Sequence, residues 1–172
     1  YIQFVFCCCD ALGLSGEPAI RGLLLAYDLQ GWFTENMRCN RNGWHYATVA
    51  SAVCRAVFGM LLSCDREQLA NMMAVNCCCN YTSVGIGAQT DMKTLAFALS
   101  AANSVKAARL AMAGIQGSAD ALDNLFRMTG NSDAIFSPLV PEQPRIFRTS
   151  IKPYPSEFMA HSALAALDEI LT

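Results

Sequence analysis

From Met92 to Ala113 the chain runs without a glycine or a proline, and alanine recurs at 96, 98, 101, 102, 107, 108, 111 and 113. Alanine gives up the least entropy on entering a helix, so little in this stretch competes with helix formation. Gly114 follows directly and closes it. A helix with so little side-chain bulk packs close to its neighbours. The stretch therefore predicts the interior of a helical bundle rather than a free-standing amphipathic array. With 53% hydrophobic and 15% charged residues, the 172-residue chain has ample apolar material for such a core.

The remaining punctuation is also helical. Ser15-Gly16-Glu17-Pro18 places an acid and a proline in a first turn, and the helix should continue through Leu23, Leu24 and Tyr27 to about Phe33. Gly43-Trp44 interrupts the pattern, and Thr48 to Leu62 forms an apolar helix. Asp65-Arg66-Glu67-Gln68 has the spacing of a capping box ahead of Leu69, Met72 and Met73. Val84-Gly85-Ile86-Gly87 is expected to be a loop. Ser118 begins a short helix through Leu122 and Phe126. Pro138, Pro141 and Pro144 mark an extended connection, and the alternating run Ile146 to Ile151 is the best strand candidate. Ser156 is expected to cap a last helix running to about Leu171. The fold class is mainly α.

Charge and composition exclude several functions. A net charge of -2 and a pI near 5.6 leave no basic stripe for nucleic acid. The uncharged run Leu69 to Thr90 is long enough to cross a bilayer. It carries Asn71, Asn76, Asn80 and Gln89, and is read as a buried helix followed by a loop, with no membrane partner. No leader segment is visible, and both ends read as cut: Tyr1 stands inside an apolar run and Thr172 at a helix end. The nine cysteines include two triplets, Cys7 to Cys9 and Cys77 to Cys79, whose side chains diverge by about 100° per residue on a helix. No Cys/His grouping has ligand spacing, so no metal is expected and the cysteines are read as small core residues. Unpatterned cysteines suit a reducing, cytoplasmic setting.

The cationic and imidazole groups fall at notable places. His45 stands just ahead of the Thr48 helix, Lys93 in the first turn of the alanine-rich helix, and Lys152 ahead of the Ser156 helix. A lysine at a helix start opposes the macrodipole. The arrangement makes sense if an anion binds there, because free backbone N–H groups and the ammonium then act together. A ligand with several carboxylates would satisfy all three places.

Four stretches then match one family in order. Ala26-Tyr27-Asp28-Leu29-Gln30-Gly31, Gly43-Trp44-His45-Tyr46-Ala47-Thr48, Asp91-Met92-Lys93-Thr94-Leu95 with its alanine-rich continuation to Gly114 and Gly117, and Ile151-Lys152-Pro153-Tyr154-Pro155-Ser156 with His161 beyond it together resemble the MmgE/PrpD family. That family includes 2-methylcitrate dehydratase and cis-aconitate decarboxylase. The resemblance implies a helical main domain, here 1–137 and incomplete at its N-terminus. Residues 138–172 would be a connection and the start of a smaller α+β lid. It also implies a homodimer, no metal or other cofactor, and an active site between domains. On the matching positions, His45 would be an acid/base or substrate-orienting group. Lys93 and Lys152 would hold substrate carboxylates, and His161 would be a further substrate-binding residue.

The expected activity is hydro-lyase work on a small polycarboxylate, of the 2-methylcitrate dehydratase kind. Two other readings stand beside it: a non-catalytic helical subunit or dimerisation module, and a cis-aconitate decarboxylase or dicarboxylate epimerase. Two departures separate this chain from relatives. Family members are more than twice as long, with an upstream helix carrying an Asp, a Thr and a His before a Pro. Glu157 also stands where some relatives have His or Cys.

Overall fold

The structure, a computed structural model, describes residues 1–37, 39–77, 80–83, 91–129 and 138–171. Within them the chain forms seven helices and no sheet: α1 (Ile2–Ala11), α2 (Gly16–Asn36), α3 (Ala47–Leu61), α4 (Arg66–Cys77), α5 (Met92–Met112), α6 (Ala121–Met128) and α7 (His161–Leu171). Short 3-10 turns occupy Cys39–Asn42, Arg145–Arg148 and Phe158–Ala160. The fold is mainly α, as the sequence predicts. Among the described residues no helix is long and apolar enough to cross a membrane.

The centre is α3, with thirteen of its fifteen residues buried. Helices α1 and α2 pack on it and on each other, and so do α4 and α5. The seam between α3 and α5 is made of small residues. Ser100 Oγ donates to the Ala47 carbonyl at 3.1 Å, and Ser104 Oγ to the Ser51 carbonyl at 2.8 Å. Both bonds advance along the two helices in the same direction, so α3 and α5 run parallel. With Ala50, Ala101, Ala107 and Ala108 also buried, the backbones approach closely enough for hydroxyls to reach main-chain carbonyls.

A buried arginine ties α4 to the same helix. Arg55 is fully enclosed, and its guanidinium donates to the carbonyls of Ser51 (2.7 Å), Met72 (3.2 Å) and Met73 (3.3 Å). Asn76 Nδ2 reaches Ser51 Oγ at 2.9 Å. These bonds satisfy polar groups that would be expensive to bury alone. At the head of α4 the capping box forms as its spacing demands. The Gln68 N–H donates to Asp65 Oδ1 at 2.8 Å, and the Asp65 N–H donates to Gln68 Oε1 at 3.0 Å.

The cysteines mostly fill the core. Of the seven described, Cys8, Cys9, Cys39, Cys54 and Cys77 are buried, and all seven are free thiols. Burial pushes the Cys8 thiol up to about 11 and the Cys54 thiol up to about 12, which keeps both protonated and unreactive at neutral pH. Cys78, Cys79 and the expected loop at Val84-Gly85-Ile86-Gly87 lie outside the described residues.

Two local expectations are corrected. The alternating run Ile146 to Ile151 is not a strand: Arg145–Arg148 is a 3-10 turn, Thr149 after it is extended, and none of these residues pairs in a ladder. The competing interaction is the docking of Arg145 onto α2. Its backbone N–H donates to Asp28 Oδ1 at 2.6 Å, and its guanidinium meets Glu35 Oε2 at 3.0 and 3.1 Å and the Leu139 carbonyl at 2.9 Å. Arg148 holds the other oxygen of Glu35 at 2.9 Å. A residue pinned by both backbone and side chain cannot also enter a ladder, and no second described strand offers one. Likewise Ser156 does not start the last helix. That helix begins at His161, after the Phe158–Ala160 turn.

Candidate functional site

The segment ahead of α3 is built residue by residue. Gly43 adopts φ +81°, a left-handed conformation suited to glycine, as the chain leaves the Cys39–Asn42 turn. Trp44 then pairs with Ser83 in an isolated antiparallel bridge and packs against Tyr81, with ring centroids 5.6 Å apart. The His45 N–H donates to the Thr82 carbonyl at 2.7 Å. Thr48, itself buried, fixes the same residue twice: its Oγ1 donates to the Thr82 carbonyl at 3.2 Å and accepts from the Thr82 N–H at 3.0 Å. The residues from Gly43 to Thr48 thus anchor the segment that carries His45 at the N-terminal end of α3.

The imidazole is partly buried and stacks on Tyr46, with centroids 4.2 Å apart. Its Nδ1 accepts the Ala47 N–H at 3.2 Å. With Nδ1 taken as acceptor, the neutral ring carries its proton on Nε2. Burial, and then the nearby Lys93 ammonium, hold its pKa below the ordinary 6.5, so His45 is neutral at pH 7.

Lys93 is the second residue of α5. Its Nζ donates to Glu157 Oε2 at 3.2 Å, an ion pair that is more than half exposed on both sides. The hydrogen bond from Lys93 and its charge hold the Glu157 carboxyl below the usual carboxylate range, and the Lys152 charge adds to this. Lys152 in turn donates to the Ser156 carbonyl at 3.1 Å. Of the four expected residues, Lys93 alone contacts Glu157; the Lys93 charge also reaches His45, and the Lys152 charge reaches Glu157. Helices α3 and α5 run parallel but staggered: Ala47, the first residue of α3, meets Ser100, the ninth of α5, so the positive dipole end at Lys93 is that of α5.

His161 is placed differently. Its ring meets Tyr154 edge-on at 5.6 Å, Tyr154 donates to Asp168 Oδ2 at 2.6 Å, and the His161 Nε2 is enclosed without a hydrogen-bond partner. These contacts lie within its own segment and do not bring it to His45 or Lys93. An open cavity of about 240 Å³ lies beside Tyr46, lined also by Gln30, Phe33, Thr34 and Val49, and none of the four expected residues lines it.

Sequence reasoning missed the Thr48–Thr82 link and the role of Glu157 as partner to Lys93. Those pairs are separated by 34 and 64 residues, beyond any local pattern. The Ala26 to Gly31 motif also has a structural role. Asp28 and Gly31 receive Arg145, and a Cβ on Gly31 would meet its Cδ at 2.5 Å.

The described fold is that of an all-α domain. Over residues 4–138 the chain matches the profile described as the MmgE/PrpD N-terminal domain, and it belongs to the MmgE/PrpD family. Lys152 and His161 lie beyond the matched residues. No curated protein and no solved structure gave a match.

Proposed function

We propose that this chain supplies the carboxylate-holding part of a hydro-lyase site for a small polycarboxylate, of the 2-methylcitrate dehydratase kind. One observation carries the reading: Lys93 holds a carboxylate, that of Glu157, at 3.2 Å, and the charge of Lys152 adds to the field on the same group. A substrate carboxylate meets the same two ammonium groups, and the N-terminus of α5 favours its charge.

Dehydration removes a proton alpha to a carboxylate and expels a β-hydroxyl. Negative charge grows on the carboxylate flanking the carbanion, where ammonium groups stabilise it. With its proton on Nε2, His45 is suited to donate to the departing hydroxyl, which leaves as water. The alpha proton passes to a second base, a role His45 cannot fill in the same step. His161, packed on Tyr154, is given no step in this reading. Residues 138–172 as the start of a lid, and assembly as a homodimer, belong to the same reading.

The test is turnover of 2-methylcitrate followed by proton NMR, comparing the parent with Lys93→Ala. The expected loss is at least about 2 kcal/mol in kcat/KM. Activity of Lys93→Ala within threefold of the parent removes Lys93 from the site. Solvent-proton exchange without loss of water would instead indicate an epimerase, and release of CO₂ a decarboxylase. The exposure of the Lys93–Glu157 pair favours a second reading, a helical module that binds anions without turning them over. Binding of 2-methylcitrate with no product at any enzyme concentration would select it.

A further inference from the structure

We propose that Glu157 is an internal competitor that occupies the Lys93 carboxylate position and so sets how much negative charge the site accepts. The proposal rests on the reading of Lys93 and Lys152 as carboxylate-holding groups. Two ammonium groups and one carboxylate leave this cluster with a net charge of about +1 rather than +2. A ligand carboxylate bound to Lys93 must either displace Glu157 or share the ammonium with it at the cost of like-charge repulsion.

The carboxylate is delivered by an ordered turn, not by a loose side chain alone. Glu157 precedes the Phe158–Ala160 turn, whose Ala160 N–H donates to the Glu157 carbonyl at 3.0 Å. Upstream, Ser156 N–H donates to the Tyr154 carbonyl at 2.8 Å, and Lys152 closes onto the Ser156 carbonyl. Tyr154 is fastened to Asp168 of α7. The backbone under Glu157 is thereby held in place, and only the side chain's own rotamers need be restricted when it meets Lys93.

Because the pair is exposed, its strength is that of a surface ion pair, and displacing it changes affinity by a small factor. The effect grows with ligand charge, since each further carboxylate is repelled by Glu157 and attracted by the two lysines. Neutralising Glu157 therefore raises the affinity for a tricarboxylate more than that for a dicarboxylate.

The experiment is isothermal titration with citrate and with succinate, at low and at moderate salt, on the parent, Glu157→Gln, Glu157→Ala and Lys93→Ala. Expected results are a gain of about twofold to fivefold in citrate affinity for both Glu157 variants. The gain should be smaller for succinate and should shrink as salt rises. If Lys93→Ala loses citrate while the Glu157 variants bind it no better than the parent, the competitor role is wrong and the anion site stands. If Lys93→Ala binds citrate as the parent does, or if neither the parent nor the Glu157 variants bind it, the site itself is wrong and the competitor role falls with it. Circular dichroism on each variant separates these results from loss of folding.

Discussion

Arg145 crosses Gly31 so closely that a Cβ on the glycine would stand 2.5 Å from the arginine Cδ and 3.3 Å from its Cβ. Gly31 lies in the interior of α2, where alanine would otherwise gain roughly 1 kcal/mol of helix propensity. Gly31→Ala should nevertheless destabilise the contact by about 1–3 kcal/mol, because Arg145 is fixed at its backbone by Asp28 and at its guanidinium by Glu35. The expected outcome is faster amide exchange across 138–148 and faster tryptic cleavage after Arg145 and Arg148. Rates equal to the parent's would mean that the segment adapts without undocking.

Thr48→Val keeps the shape of the side chain and removes both of its bonds to Thr82. The Thr82 N–H loses its acceptor in a partly buried place, at a cost of about 1–3 kcal/mol. Thermal denaturation should show the loss. The His45 ring resonances should also broaden or move, because the strand-like pairing that holds its backbone is weakened. Unmoved ring signals would show that Trp44 and Tyr81 suffice.

His45 gives the fold a pH dependence of defined sign. Its folded pKa lies below the ordinary 6.5, so the unfolded chain binds the proton more readily. Stability is therefore full above about pH 6.5 and declines as pH falls through that value toward the folded midpoint. Urea denaturation at pH 7.5 and 5.5 should show this decline in the parent and a smaller one in His45→Asn. Lys93→Met should raise the NMR titration midpoint of His45 by removing a neighbouring cation. A midpoint that falls or stays fixed would disprove their proximity. Glu157, with its pKa below the usual carboxylate value of 4.5, contributes stability that is lost only as the pH drops beneath that value.

What could be read in the sequence was what is decided locally. The Asp65–Gln68 box forms because both bonds lie within one turn, and α5 ends beside Gly114 as the alanine-rich stretch predicts. The run Ile146 to Ile151 misled because alternation describes a strand only when another strand is there to pair with it. Here Asp28 and Glu35, more than a hundred residues earlier, claim Arg145 instead. Ser156 misled for a related reason: Lys152 uses its carbonyl, and the helix starts five residues later. Arg55 carried no sequence cue at all. A lone cation in an apolar helix looks like an error in amphipathic pattern until Met72 and Met73 present their carbonyls to it. Of the candidate site, the residue types and their nearness to helix starts were legible for His45 and Lys93. The pairing of Lys93 with Glu157, 64 residues on, was not.

The serine-lined seam between α3 and α5 has a consequence for how such a chain can change. A slide of one helix along the other by a fraction of a turn would part Ser100 from the Ala47 carbonyl and Ser104 from the Ser51 carbonyl together, so the two helices share a fixed ruler. Positions 45 and 93 sit at marks on it. An insertion or deletion between the helices that spares α4 and the Thr82 contacts therefore leaves the gap from imidazole to ammonium unchanged.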